Sequence, residues 1–255
     1  MKYYIREIKR ANKEQFRKYI FLFVFVIFYN VFMLNKVEIL SNGMLDVLYN
    51  NFKGMQYIDD IHENIVLNAY WVANNLLWLF WISSYVNNQI HNNCQKIIRV
   101  GKRKWYVTQF VVLFNQAVMF MVIQVFACFL TYGFLSHFSD GKKYGFISWQ
   151  GNTFDMVIAI SLLTITYCVI SFVQNTLSVL LGEKVAIIIT FCITIITIFV
   201  KRGYIYIGNL LMFERVLCIK NQYLFLLMIE LGIGTICILL TVLGNGKRDY
   251  YGNRG

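Results

Sequence analysis

Residues 155–200 read DMVIAISLLTITYCVISFVQNTLSVLLGEKVAIIITFCITIITIFV, two apolar runs parted by little more than Gly182, Glu183 and Lys184. About 20 apolar residues in a helix cover a hydrocarbon core about 30 Å thick, so each run has roughly the length of a membrane span. The linker Leu181-Gly182-Glu183-Lys184 leaves room only for a tight reversal, which predicts an antiparallel helical hairpin with spans at 155–181 and 184–200.

The same signature recurs on both sides of that hairpin, at 19–35, 65–87, 106–134 and 222–243. Of 255 residues, 58% are hydrophobic and 15% charged, and the mean hydropathy is +0.55. A soluble domain of this length needs more polar surface, so the apolar excess is expected to face lipid. The chain is therefore expected to be an all-α polytopic membrane protein, one transmembrane domain over 1–255 with six transmembrane helices. The first and fifth runs are short. Snorkelling of Arg17, Lys18 and Lys36 at one, and of Lys184, Lys201 and Arg202 at the other, completes them.

A net charge of +11 invites a nucleic-acid partner, but the cations are distributed as topology signals. Lys2, Arg6, Lys9, Arg10, Lys13, Arg17 and Lys18 precede the first span; Lys96, Arg99, Lys102, Arg103 and Lys104 lie between the second and third; Lys247, Arg248 and Arg254 end the chain. With six spans these groups share one side of the membrane, and the positive-inside rule makes that side, with both termini, cytosolic. The outer segment 36–64 carries Glu38, Asp46, Asp59, Asp60 and Glu63 and is expected to form a small ordered cap or amphipathic turn. Lys201, Arg202, Arg215 and Lys220 run against the rule in the last outer loop.

Residues 1–18 alternate Tyr3, Tyr4, Ile5, Ile8 and Phe16 with cations at near-helical spacing. This pattern predicts an amphipathic helix in the membrane interface, the alternative being a frayed basic tail. No small-residue cleavage site follows Leu34, so the first span reads as retained rather than as a signal peptide. Cys128, Cys168, Cys192 and Cys237 fall inside spans and Cys94 and Cys218 on opposite sides, which predicts free thiols and no disulfide framework.

Catalytic and metal-binding signatures fail one by one. His62-Glu63 is followed by Val66 where a zinc-binding helix needs a second histidine. The spans hold no pair of acids for an intramembrane protease and no Gly-x-Ser-x-Gly elbow. Gly244-Asn245-Gly246-Lys247 has neither the loop length nor the Ser/Thr of a phosphate-binding loop. We expect no catalytic residue, no metal site and no cofactor held by this chain.

Other features bear on function without naming a reaction. Glu230 is the one acid deep in a span, either a substrate or proton contact or a partner in a helix–helix hydrogen bond. Phe21, Phe25, Phe28 and Phe32 share one face of the first span. Ala186, Thr190, Thr194 and Thr197 form a small-residue stripe on the fifth, as close helix packing in lipid uses. Asn68, Asn74, Asn75, Asn115, Gln116, Gln124, Gln174 and Asn175 give the spans either an internal polar surface or interhelical hydrogen bonds. Proline is absent, against the broken helices usual in secondary carriers. The segment 88–105 ends HNNCQKIIRVGKRKW, with Ile97-Ile98 among five cations and Gly101 before Trp105. It is either an anchor on anionic lipid or a docking element for a cytosolic partner.

With an interfacial helix leading into span one, six spans and a basic segment after span two, the chain resembles the permease subunits of type-2 ABC exporters. Their short cytosolic helix between spans two and three is often followed by an Arg-x-Gly-x-Arg/Lys run, matched here by Arg99, Gly101, Arg103 and Lys104. The segment departs from that family in carrying no acidic residue. The resemblance implies ATPase coupling through Ile97, Ile98, Arg99, Gly101, Lys102, Arg103 and Lys104. It implies a substrate pathway or dimer interface at Phe21, Phe25, Phe28, Phe32, Thr190, Thr194, Thr197 and Glu230. It further implies a second permease (alike or related), a cytosolic ABC ATPase carrying ATP and Mg, and an apolar or amphipathic peptide as cargo, in a bacterial plasma membrane. The alternatives are an ATP-independent channel or secondary carrier, and a structural or sensory membrane subunit that transports nothing.

Overall fold

The computed structural model describes residues 2–36, 44–54, 70–82, 97, 99–138, 153–199, 207–218 and 223–244. Helices α1 (Lys2–Lys36) and α2 (Met44–Phe52) are followed by α3 (70–82), then α4 (Lys102–Phe138) and α5 (Thr153–Leu181). Next come α6 (Glu183–Phe199), a 3-10 turn (Ile207–Leu211), α7 (Phe213–Cys218) and α8 (Tyr223–Gly244). The described residues contain no strand. Among the described residues, four helices are long and apolar enough to cross a membrane: α1, α4, α5 and α8. This is an all-helical membrane protein. Helix α6, at 17 residues, spans about 26 Å, slightly under the core thickness.

Helix α1 is continuous across the boundary expected between interfacial helix and first span, giving 35 residues and a length of about 52 Å. Its buried positions Glu7, Ala11, Gln15, Tyr19, Leu22, Val26 and Asn30 repeat every three or four residues, a single stripe along its length. That stripe meets α4, and the pairing is parallel. Lys104 lies over the Tyr3 ring, Asn12 bonds Asn115 and Gln116, Phe23 stacks on Phe126, and Asn30 reaches Cys128. The start of α1 and the start of α4 are thus at the same end of the bundle.

Helices α5 and α6 form the hairpin predicted at 181–184, and a single residue makes the reversal. Gly182 stands at φ 93°, a left-handed conformation that costs a residue with a Cβ about 1 kcal/mol or more. Its N–H donates to Ser178 O at 3.1 Å, closing α5, and its carbonyl accepts from Ala186 N–H at 3.1 Å, opening α6. Helix α8 runs parallel to α5, since Thr166 meets Glu230 and, further on, Thr176 meets Thr241.

At the opposite end from Tyr3, α2 packs with the 3-10 turn and α7 into a cap. Phe52 and Tyr49 lie against Phe213, with ring centroids 5.6 and 6.4 Å apart. Glu214 N–H donates to Lys53 O at 3.2 Å. Trp71 Nε1 of α3 donates to Leu211 O at 2.8 Å. Arg215, a cation that contradicts the charge asymmetry of the loops, is fully buried in this cap rather than free in a loop. Lys201, Arg202, Lys220, Ile98, Asn68, residues 37–43, 55–69 and 83–96, and the tail beyond Gly244 lie outside the described residues.

Candidate functional site

The segment that carries the basic motif is mounted on the bundle by one apolar side chain. Ile97, 1% exposed, packs with Trp105 and Tyr106 of α4, Val179 of α5 and Val242 of α8. Burying an isoleucine in such a cluster contributes about 1.5–3 kcal/mol. Gly101 N–H donates to Ile97 O at 3.0 Å, closing one helical turn, and Gly101 O accepts from Trp105 N–H at 3.0 Å. Between these bonds Gly101 takes φ 89°, so the chain turns sharply into α4. Arg99, Arg103 and Lys104 are exposed on this turn and Lys102 is half-exposed.

The same end is tied to α1. The Tyr3 ring has Arg6 5.8 Å and Lys104 5.2 Å from its centroid, cation–π contacts from its own helix and from α4. Two to three turns deeper, Asn12 Oδ1 accepts from Asn115 Nδ2 at 2.8 Å, Gln116 Nε2 at 3.1 Å and Tyr19 Oη at 3.0 Å. Tyr19 Oη also lies 2.8 Å from Gln116 Oε1. Half-buried amide networks of this kind are strong only when their members are paired, and they hold elements in one register. The end of the bundle therefore joins the basic turn to α1, α4, α5 and α8 as one packed unit.

Farther in, the polar residues of the spans bond between helices. Gln124 Nε2 donates to Asn74 Oδ1 at 2.7 Å and Gln174 Nε2 to Leu79 O at 3.0 Å. Around them Tyr19, Trp78, Trp81, Phe120 and Tyr167 form a packed aromatic core, with Trp78 4.7 Å from Phe120 and 5.6 Å from Tyr167. The second of the two readings of these amides, interhelical bonding, describes these pairs.

The two stripes point in opposite directions. Phe21, Phe28 and Phe32 are exposed on α1, while Phe25 is half-buried and stacks near Phe21 and Tyr70. Thr190, Thr194 and Thr197 are buried within the chain, their hydroxyls donating back to the carbonyls of Ala186, Thr190 and Ile193. Such back-bonds satisfy a hydroxyl where no water is available. At the end of this stripe the Gly208 backbone approaches Thr197 so closely that a Cβ would overlap its hydroxyl. Glu230 is 1% exposed and meets the Thr166 hydroxyl of α5 at 2.5 Å.

Asn12 and Thr166 are residues that sequence reasoning did not single out, whereas Tyr3 and Arg215 entered it only as part of the interfacial pattern and as a loop cation. Of the first two, only Asn12 leaves a trace in the sequence, as a small polar residue inside a cationic run. Among the described residues, no three His, Cys, Asp or Glu side chains converge as metal ligands would. Compared with protein-family models, curated proteins and solved structures, the chain matches none.

Proposed function

We propose that this chain is the membrane-spanning permease subunit of an ATP-driven exporter of the type-2 ABC class, with six spans and both termini cytosolic. A separate cytosolic ATPase binds ATP and Mg and supplies the hydrolysis; this chain is not itself an enzyme. A second permease completes the pathway in a bacterial plasma membrane, and the cargo is an apolar or amphipathic peptide.

The observation that carries this reading is the mounting of the basic turn. Arg99, Arg103 and Lys104 are exposed, yet Ile97 beside them is buried among α4, α5 and α8. A force applied to the turn by a docked partner would reach three long helices directly and α1 through Tyr3 and Asn12. A lipid anchor needs the cations but gains nothing from a buried isoleucine and a Gly101 hinge between helices.

The test is ATP turnover by this chain in lipid with a Walker-motif ATPase encoded beside it. Reversing the charge of Arg99, Arg103 and Lys104 to Glu should abolish the stimulation of turnover by the permease. Unchanged stimulation would sink the coupling role.

A further inference from the structure

We propose that Glu230 is a proton-binding site inside the membrane domain, its carboxyl sitting between α5 and α8 as the neutral acid with Thr166 as its partner. This does not depend on the permease reading.

Glu230 is the eighth residue of the 22 in α8, about 10 Å in from the Tyr223 end and about 21 Å from Gly244. Its side chain is closed to solvent, and Oε2 is buried with no hydrogen-bond partner. A bare carboxylate oxygen there would carry charge with neither water nor a donor to stabilise it, at a cost of several kcal/mol. Among the described residues of the helices packed here, no cation offsets that cost. From Trp105 to Phe138 of α4, and throughout α5 and α8, there is no Lys or Arg. The titratable side chains on these packed elements are thiols and phenols: Cys168 and Tyr167 on α5, Tyr223 and Cys237 on α8, Tyr106, Cys128 and Tyr132 on α4. Asp155 and His137 stand outside this set, at the far ends of α5 and α4.

The hydrogen count at Thr166 points the same way. Thr166 Oγ1 lies 2.8 Å from Leu162 O and 2.5 Å from Glu230 Oε1. Both are hydrogen-bond distances, and each bond needs one hydrogen. A hydroxyl has one to give and a backbone carbonyl none. If Thr166 makes the usual back-bond to Leu162 O, the second hydrogen comes from the carboxyl, with Glu230 as donor and Thr166 Oγ1 as acceptor. An ionised Glu230 leaves the single Thr166 hydrogen shared between two acceptors, a weaker arrangement than two full bonds.

A metal ion is a poorer occupant than a proton. The contacts of Glu230 supply its own carboxyl and one hydroxyl, whereas hard cations take about six oxygens. The proton therefore acts as the ligand that holds α5 to α8 at this level, and its loss would place an unpaired charge in the seam.

The experiment is infrared difference spectroscopy of the full chain in lipid vesicles at neutral pH, wild type against Glu230→Gln. The amide copies the shape of the neutral acid, so the variant should fold. The expected difference is loss of one protonated carboxylic C=O band, shifted in D2O, with the carboxylate bands unchanged. Loss of a carboxylate band instead would overturn the proposal. Thr166→Val provides a second readout. It should shift the frequency of the acid band without removing it, and an unmoved band would mean that Thr166 is not the partner of the carboxyl. Should Glu230→Gln fail to fold, the Thr166→Val spectrum still decides between an acid and a carboxylate.

Discussion

Arg215 Nη1 donates to the main-chain carbonyl of Thr197 at 2.6 Å, joining the cap formed around α7 to the last turns of α6. The same nitrogen meets Asn209 Oδ1 of the 3-10 turn at 2.5 Å. The carbonyls at a helix C-terminus lack intrahelical donors and carry partial negative charge, so a cation satisfies both the bond and the dipole. A residue that counts against the topology as a loop cation thus belongs to the packing of the cap.

Replacing Arg215 by Met should therefore destabilise the protein, by about 1.5–3 kcal/mol for each bond lost to a charged donor. Lys keeps the charge but not the planar fork, and should fall between Met and the parent. Thermal unfolding in detergent or lipid checks both. A Met variant as stable as the parent would show that the cap does not depend on this contact.

Ile97→Ala should cost about 2–5 kcal/mol if the surrounding side chains cannot close the space it leaves. Under the proposed function it should also uncouple, lowering permease-stimulated ATP turnover more than binding of the ATPase. Measuring turnover against ATPase concentration separates the two effects.

Parallel pairing of α1 and α4 predicts which cysteines can be joined. In a background freed of native thiols, Tyr3→Cys with Lys104→Cys should cross-link under mild oxidation. Tyr3→Cys with a cysteine at Phe129, about 38 Å further along α4, should not. Equal cross-linking of both pairs would contradict the register.

Asn12→Leu should destabilise by about 1–3 kcal/mol, because Asn115 and Gln116 lose an acceptor inside the protein. Asn12→Asp should keep most of the stability, since its carboxylate accepts from the same amides. Unfolding midpoints of the two variants test the hub directly.

Burial raises the pKa of Glu214, in the cap outside the spans, above the ordinary carboxylate range. The folded state then holds this proton more tightly than the unfolded chain. Its contribution is present in full below the unfolded value and is lost as pH rises through the folded one. Glu214→Gln should remove that loss and raise cap stability at neutral pH relative to the parent. Unfolding measured from acid to neutral pH would show the two curves diverging upward in pH, and parallel curves would deny Glu214 the role.

The sequence by itself determined the elements. Apolar run length set α4, α5 and α8 as spans, because a backbone in hydrocarbon must bond internally and a helix does so locally. The Gly182 reversal was legible because so short a linker admits only one topology. The exposed cations around Gly101 were legible as a motif. Beyond the Gly182 hairpin, only the tertiary structure decided which helices pair and which polar groups are matched. The continuity of α1 with its basic start, the Asn12 hub, the Thr166–Glu230 contact and the burial of Arg215 all depend on partners 6 to 104 positions away. Periodicity shows that a helix has a buried face, but not whose face it meets. In lipid that choice rests on shape and a few hydrogen bonds rather than on hydrophobicity, and neither leaves a pattern in one helix alone.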